Sequence, residues 1–245
     1  MHLEVFSEGS SPIHRLDPRV KIIVFTIFSI LCATSTGLKT PFLYLSYSIC
    51  LILLARVKLR PFLSRLFLAN FFILFIWIFI PLFYSGNTHY SIGPLKISKE
   101  GVMYALSITL KCNGIIIATI ALLSTSTVFS LAHALSHLKV PIKLITIFFL
   151  FYRYITVIHL EYLKIKRAVL TRGFIARTNL HTYRTFAYIM AGLLIKSYER
   201  AEEIYRAMLC RGFKGYFPLF EHFKIRKSDI IFFIVANSIS IYFWI

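Results

Sequence analysis

The residues best suited to recognition chemistry belong to a short duplication. Residues 167–174 read RAVLTRGF and residues 206–213 read RAMLCRGF, so six of eight positions are identical. Each copy carries an arginine, Arg172 or Arg211, directly before its glycine. A guanidinium group is permanently charged and holds five N–H donors in a fixed plane, which suits it to binding carboxylates. The duplication therefore predicts two matching cationic contacts for a partner with two acidic sites, such as a dimer.

The same octapeptide predicts how two long helices end. Its glycine fits the left-handed position that stops a helix, and its arginine, in the last turn, complements the negative helix end. The phenylalanine that follows can cover apolar surface there. Capping alone explains the glycine and the arginine, but it does not explain why the whole octapeptide recurs. We therefore predict two docking ends, formed by Arg172, Gly173, Phe174, Arg211, Gly212 and Phe213.

Other reactive side chains give weaker signals. His133 and His137 have the i, i+4 spacing of a two-histidine metal site, but they lack an intervening glutamate and a third ligand. We interpret them as a solvated polar face, and we give His2 no metal role. The four cysteines have no C-x-x-C spacing, and we expect small buried hydrophobic residues rather than a disulfide or metal set. They are Cys32, Cys50, Cys112 and Cys210.

The sequence shows no recognisable catalytic set. It has no G-x-x-x-x-G-K-[ST] loop for ATP and no visible nucleophile–base pair. We therefore expect no catalytic residue, no cofactor and no bound metal. Lys111 lies at mid-depth of an apolar stretch, where a charge is costly and suggests a functional site. It could pair with Asn70, or it could instead snorkel from a tilted helix.

Composition identifies the environment of these groups. The 245 residues are 58% hydrophobic, yet 28 Lys+Arg against 10 Asp+Glu give a formal net charge of +18. A soluble domain is nearer 45–50% apolar, so this chain is predicted to be an integral membrane protein. The basic residues track one side of the membrane, which argues against nucleic acid as the partner. We expect no cleavable signal peptide, because acids and prolines precede the first apolar run.

Five apolar stretches are candidate membrane spans. Asp17 and Pro18 fit the N-cap and first position of the first one. The polar stretch 85–101 is predicted to be a loop outside the membrane. The stretch 142–158 could be a sixth span, although Arg153 favours partial burial instead. The five predicted spans are 20–36, 40–55, 62–84, 102–123 and 228–245.

The region 124–227 differs in character and holds 17 of the 28 basic residues. Its helices, at 127–138, 142–172 and 181–211, are of mixed polarity, and the apolar part of the last is too short to span. We predict an all-α polytopic membrane protein with about five transmembrane helices (four to six) and a cytoplasmic helical coupling domain. The predicted domains are 1–123 and 228–245 in the membrane and 124–227 against it. The positive-inside rule predicts a multi-pass protein of the cell (inner or plasma) membrane with a cytoplasmic N-terminus.

These segments together resemble a known family, the CbiQ/EcfT transmembrane T components of energy-coupling factor transporters. The resemblance covers almost the whole chain. It rests on the opening segment SPIHRLDPRVK at 11–21, on LKVP at 138–141, on YRY at 152–154 and on both R-G-F copies. Thr171 and Cys210 replace the alanines of the family's Ala-Arg-Gly signature, and both are small residues.

The resemblance implies a role in transport. Such proteins link two cytoplasmic ABC-type ATPases to a separate membrane substrate-binding (S) subunit, with room for a small accessory membrane subunit. Arg172 and Arg211 of this chain would be the docking arginines, and each would contact one of the two ATPases. The apolar faces of the two long helices would carry the S subunit, although core packing competes as the interpretation of each side chain there. The candidate contacts are Phe148, Phe149, Phe151 and Met190.

The substrate stays open at this stage. The ending AMLCRGFKGYFP and the length look most like CbiQ-type members of cobalt or nickel systems. A T component that serves a vitamin or another micronutrient is the alternative. A second alternative is an intramembrane lipid-modifying enzyme that uses His14, Arg15 and Asp17 at the interface.

Overall fold

The computed structural model describes residues 9, 11–84, 89–92, 95–138, 140–215 and 226–244. Within them the chain is helical except for one small hairpin. Eight α-helices follow in order: α1 Pro18–Thr34, α2 Lys39–Ala55, α3 Leu59–Phe83, α4 Lys99–Ala118, α5 Val128–His137, α6 Ile142–Thr171, α7 Leu180–Cys210 and α8 Lys227–Trp244. A single π-helical turn, Thr119–Leu123, extends α4. The all-α prediction is confirmed.

The chain divides into two compact units. The first, the N-terminal unit, comprises His2–Ala134 together with His222–Ile245. The second, the long-helix unit, comprises Leu135–Glu221 and contains α6 and α7. The last helix, α8, therefore belongs to the same unit as α1 to α4, and within that unit it packs chiefly against α1 and α2.

Local signals set the beginning and the end of α1. The Asp17 carboxylate accepts a hydrogen bond from the Arg19 amide at 2.9 Å, and Pro18 occupies the first turn, where a missing N–H costs nothing. Past the end of the helix, Gly37 adopts a φ of +76°, which a side chain would disfavour. The predicted N-cap and chain break are both confirmed.

The core of the N-terminal unit joins its first and last helices. Phe28, Cys32 and Tyr44 are fully buried, and the Phe28 and Tyr44 rings meet edge to face at 5.4 Å. The Tyr44 hydroxyl donates a 2.6 Å hydrogen bond to the Ser240 carbonyl oxygen, so α2 and α8 share a satisfied buried contact. At Gly101, a Cβ atom would lie 3.1 Å from the Ile80 carbonyl oxygen, and the missing side chain thus permits close packing of α4 on α3.

Three helices are long and apolar enough to cross a membrane: α3, α4 with its π turn, and α6. On α3 the side chains of Phe67, Phe72 and Phe83 are 78%, 65% and 78% exposed, and a bilayer would cover such a surface. The shorter α2 is also apolar. The stretch 142–158 begins the uninterrupted 30-residue helix α6 and meets the length and hydropathy of a span.

The loop prediction for 85–101 is wrong in part. Two short strands, β1 His89–Ile92 and β2 Leu95–Ser98, pair antiparallel with His89 opposite Ser98 and Ile92 opposite Leu95. Residues 85–88 and 93–94 of the predicted loop lie outside the described residues. Polarity made this stretch look unstructured, but a hairpin needs only backbone pairing. Ser98 then caps α4, which begins three residues earlier than predicted.

An ion pair crosses between the two helices of the long-helix unit. Glu161 on α6 accepts a 2.6 Å hydrogen bond from the Lys196 ammonium on α7, and Lys164 lies 3.6 Å away on the same helix. Along α7, Arg206 lies 3.4 Å from Glu202 in the favourable i, i+4 arrangement. The Glu161–Lys196 pair therefore links the two helices directly.

Candidate functional site

The first docking end closes α6 with two backbone hydrogen bonds. The Gly173 amide donates to the Leu170 carbonyl oxygen at 3.0 Å, and the Phe174 amide donates to the Val169 carbonyl oxygen at 3.4 Å. Gly173 has a φ of +78°. This pair of bonds around a left-handed residue is the Schellman motif, which satisfies carbonyls that a helix end otherwise leaves unpaired.

The second docking end repeats that geometry. The Gly212 amide donates to the Leu209 carbonyl oxygen at 2.9 Å, the Phe213 amide donates to the Met208 carbonyl oxygen at 3.0 Å, and Gly212 has a φ of +76°. The two copies of the duplication thus adopt closely similar backbone conformations 39 positions apart. The arginine of each copy is the C-cap residue, one position beyond the last helical turn where the sequence placed it.

Both docking arginines are available to a partner. Arg172 and Arg211 are exposed, whereas the phenylalanines that follow them are half-buried. Within the described part of the chain, neither guanidinium makes a hydrogen bond or an ion pair. Each end therefore presents five unused N–H donors beside a partly covered aromatic ring, which matches the requirements for binding an acidic group on another protein.

The two docking ends differ in their surroundings. Phe174 packs edge to face against Phe186 near the start of α7, with the ring centroids 6.1 Å apart. Arg211 instead lines a groove of about 480 Å³ between α6 and α7, together with Arg153 and Lys214. The second end therefore adds two neighbouring cations to its arginine. The sequence duplication could not reveal this difference, because Arg153 is distant in the chain.

A second groove of about 500 Å³ lies between the same two helices. Apolar side chains such as Leu150 and Phe151 line it together with the charged Glu161 and Lys196. Of the four predicted S-subunit contacts, three are exposed and so do not pack into a core within the described residues, while Phe149 is half-buried. Those three are Phe148, Phe151 and Met190, with 41%, 60% and 60% exposure.

Lys111 has a partner, but the predicted partner is wrong. Its ammonium group donates hydrogen bonds to the carbonyl oxygens of Ala33 at 3.0 Å and Ser35 at 2.7 Å, at the end of α1. Asn70 pairs instead with Asn113, and each amide donates to the other at 2.9 and 3.1 Å. Lys111 therefore complements the negative end of a neighbouring helix. The sequence carried no signal for this contact, because it joins two helices.

The histidines and cysteines differ from the prediction in their burial. His133 is buried at 7% exposure, so the expected solvated polar face applies only to the exposed His137. Within the described residues, no group of three or more His, Cys, Asp or Glu side chains could hold a metal ion. All four cysteines are free, but only Cys32 is buried, and Cys50 and Cys210 are exposed. His2 lies outside the described residues.

The N-terminal residues of the enzyme alternative have structural contacts. His14 Nδ1 lies 2.6 Å from the Ser11 hydroxyl oxygen, and Asp17 caps α1 at 7% exposure. The Arg15 side chain is exposed and lines a groove of about 690 Å³ with Arg226. Because its carboxylate is buried at a helix start, Asp17 is poorly placed to act on a substrate.

Comparison with known proteins decides the family. The CbiQ family, described as cobalt transport protein, matches residues 9–221. The chain belongs to the CbiQ family. Among curated relatives, the energy-coupling factor transporter transmembrane protein EcfT of Thermosediminibacter oceani is 26% identical over 84% of this chain and 82% of its own length. The EcfT of Streptococcus equi is 28% identical over 84% and 81%. An uncharacterised protein of Methanocaldococcus jannaschii is 26% identical over 97% and 83%.

Membership confirms the resemblance read from the sequence. This CbiQ-family protein is a transmembrane T component of an energy-coupling factor transporter and a multi-pass membrane protein. It is a transporter component and not an enzyme, so the lipid-modifying alternative is wrong. The family match includes both docking ends, all of α6 and α7, and the N-terminal segment.

Proposed function

We propose that this T component transmits ATP-driven motion from two cytoplasmic ABC-type ATPases to a membrane S subunit. One observation carries the proposal: two copies of one octapeptide close two long helices with the same Schellman geometry and leave both arginines exposed and unpaired within the described residues. A rigid helix with a fixed end conveys displacement better than a frayed one. Two equal ends suit a dimeric partner.

Arg172 and Arg211 contact acidic side chains of the ATPases, one in each subunit. Gly173 and Gly212 hold the local backbone, and Phe174 and Phe213 fill apolar surface beside each contact. Truncating a buried interfacial arginine costs about 2–5 kcal/mol, so loss of either contact should weaken the complex by about thirtyfold or more. A small accessory membrane subunit is compatible with this arrangement.

Charge reversal at both docking ends tests the ATPase contact. The variant Arg172→Glu/Arg211→Glu should lose co-purification with an ABC-type ATPase pair from the same genome. Arg177→Glu/Arg184→Glu is the matched control, because both residues are exposed on the same unit and the charge change is identical. If the docking variant still co-purified and supported uptake fully, the coupling assignment would be wrong.

The S subunit binds the exposed apolar side chains of α6 and α7 in this proposal. Phe148, Phe151 and Met190 are the exposed members of the set, and Phe149 supports them from a half-buried position. Exposed aromatic and methionine side chains are typical anchors of protein interfaces. Phe151→Ser should release the S subunit while the ATPases stay bound, as measured by co-purification of each partner. Retention of the S subunit would contradict this contact.

The N-terminus and both docking ends face the cytoplasm. The excess of Lys and Arg in 124–227 supports this orientation through the positive-inside rule. A single cysteine introduced at the exposed Arg15 in a cysteine-free background should react with a membrane-impermeant maleimide only after the cells are opened. Labelling of intact cells would contradict the proposal and place the N-terminus outside the cell.

The cargo is cobalt or nickel. The family's description as cobalt transport protein supports this assignment, whereas the EcfT names of curated relatives specify no substrate. Uptake of radioactive Co²⁺ and Ni²⁺ by cells that express the T component with its ATPases and S subunit tests the assignment. Uptake of a vitamin without either metal would instead favour a T component for another micronutrient.

A further inference from the structure

Two short segments lie where the chain passes between the helices of the N-terminal unit and the long-helix unit. The first, the exit segment 124–127, leads from the π turn into α5 and onward to the long-helix unit. The second, the return segment 226–229, begins α8 after that unit. Any displacement of the long helices that travels along the backbone must pass through one of these segments.

The side chain of Lys21 on α1 is hydrogen-bonded to the exit segment. Its side chain is completely buried, at 0% exposure. The ammonium group donates hydrogen bonds to the Ser126 hydroxyl at 2.7 Å and to the Thr125 hydroxyl at 3.3 Å. The Thr125 hydroxyl in turn donates to the Ala121 carbonyl oxygen at 3.0 Å. One buried cation thus fixes the point where the chain leaves α4 and its π turn.

Asp229, the last residue of the return segment, is 2% exposed, and its carboxylate joins this segment to the start of α1. One carboxylate oxygen accepts from the Arg226 amide at 2.7 Å, which caps the start of α8. The other accepts from the Asp17 amide at 3.4 Å. Asp17 in turn caps α1, four residues before Lys21. A single turn of α1 therefore contacts both connecting segments.

Stability alone does not account for these buried charges. Asp17, Lys21 and Asp229 are all buried, yet apolar residues of similar volume often replace buried charged side chains without loss of stability. The hydrogen bonds of these three charged side chains are directional, so they fix the positions of the groups that they join. This positioning explains their burial better than stability does. The arrangement fixed here is the position of both connecting segments on α1.

We propose that Asp17, Lys21 and Asp229 form an anchor cluster that couples the exit and return segments to α1, so that displacement of the long helices reaches the helices of the N-terminal unit through it. These are positioning residues, and the transmission role rests on the proposed coupling function. The substitution Lys21→Met removes the donor at nearly constant volume. Ser126→Ala removes only the closest acceptor and serves where Lys21→Met fails to fold.

Hydrogen exchange of the purified protein in detergent tests the anchoring itself. In Lys21→Met, the Ser124 and Ser126 amides of the exit segment should exchange about tenfold faster, with smaller changes in the α3 amides. Lys39→Met is the matched control, because Lys39 is exposed in the first turn of α2 and should leave the exit segment unchanged. Unchanged exchange at the exit segment, or equal acceleration throughout the N-terminal unit, would overturn the anchor.

Exchange in the full complex tests transmission. In the wild-type transporter, a non-hydrolysable ATP analogue should alter exchange in α6, α7 and α1. In Lys21→Met, the response should persist in α6 and α7 but disappear from α1. Persistence in α1 would overturn transmission through the anchor cluster. A wild-type complex without any response in α6 or α7 would instead refute the proposed coupling function, while the anchoring result in the isolated protein would stand.

Discussion

The Lys111 ammonium donates a 2.7 Å hydrogen bond to the Ser35 carbonyl oxygen, and this contact joins α4 to the end of α1. A second bond to Ala33 makes the cation a cap supplied by another helix. Helix ends leave carbonyls without partners, and in a membrane environment water cannot supply them. A residue that sequence alone marks as a functional oddity is therefore part of the packing.

Removing this cap should destabilise the N-terminal unit. Hydrogen bonds to charged groups contribute about 1.5–3 kcal/mol, so Lys111→Met should lower the free energy of unfolding by about that amount. Thermal unfolding in detergent, followed by intrinsic fluorescence, measures the loss. Lys99→Met on the same helix is exposed and should change little. Equal midpoints for the two variants would show that the cap contributes nothing.

The glycines of the docking ends should be intolerant of side chains. Gly173→Ala and Gly212→Ala force a left-handed conformation on alanine, which costs about 1–2 kcal/mol and should fray the last helical turn. Gly192→Ala is the matched control, because Gly192 lies inside α7 and an added Cβ would meet no neighbouring group of the described residues within 4 Å. This control should gain up to about 1 kcal/mol. Unfolding midpoints should therefore shift in opposite directions, and a shift in the same direction would contradict the assigned backbone conformations.

The two docking ends should respond differently to their neighbours. Arg211 shares its groove with Arg153 and Lys214, so Arg153→Gln should weaken binding of the ATPase pair by up to about 1 kcal/mol, roughly fivefold in Kd. Arg184→Gln, an exposed arginine elsewhere on α7, is the control and should leave Kd unchanged.

Combining Arg153→Gln with a substitution at each docking arginine in turn tests whether Arg153 acts through the second docking end only. Arg153→Gln should add little once Arg211→Gln is present, and it should add its full effect to Arg172→Gln. Binding isotherms at two salt concentrations would measure both combinations. Equal additivity with the two docking arginines would show that Arg153 does not act through the second end.

The amide pair between α3 and α4 should contribute measurable coupling. Asn70 and Asn113 donate to each other, and each also donates to a carbonyl on its own helix, Leu66 or Thr109. Interhelical hydrogen bonds in membranes average about 0.6 kcal/mol and reach about 1.7. A double-mutant cycle of Asn70→Leu and Asn113→Leu should return a coupling energy in that range, and additive effects would exclude the pair as a contributor.

Signals that are local in sequence were predictable. Asp17 with Pro18 identified the start of α1, and the glycines of the octapeptide identified the ends of α6 and α7, because caps depend on neighbouring residues only. Hydropathy also depends only on residues that are close in sequence, and it identified α3 and α4 as candidate spans.

Contacts between distant segments were not predictable. The partner of Lys111, the burial of His133 and the groove shared by Arg153 and Arg211 all depend on how helices pack. The hairpin at 89–98 was missed because backbone pairing needs no strong side-chain pattern. Family membership supplied what packing hides, namely that the duplicated ends belong to a transporter component.

The hydrogen bond from Tyr44 to Ser240 has a consequence for biosynthesis. The ribosome makes α2 well before α8, because Tyr44 and Ser240 lie 196 residues apart in the sequence. Until α8 has been made, the surface of α2 that contacts it therefore stays uncovered. The aromatic core around Phe28 and Tyr44 closes only when the last helix is inserted, after α6 and α7 have left the ribosome.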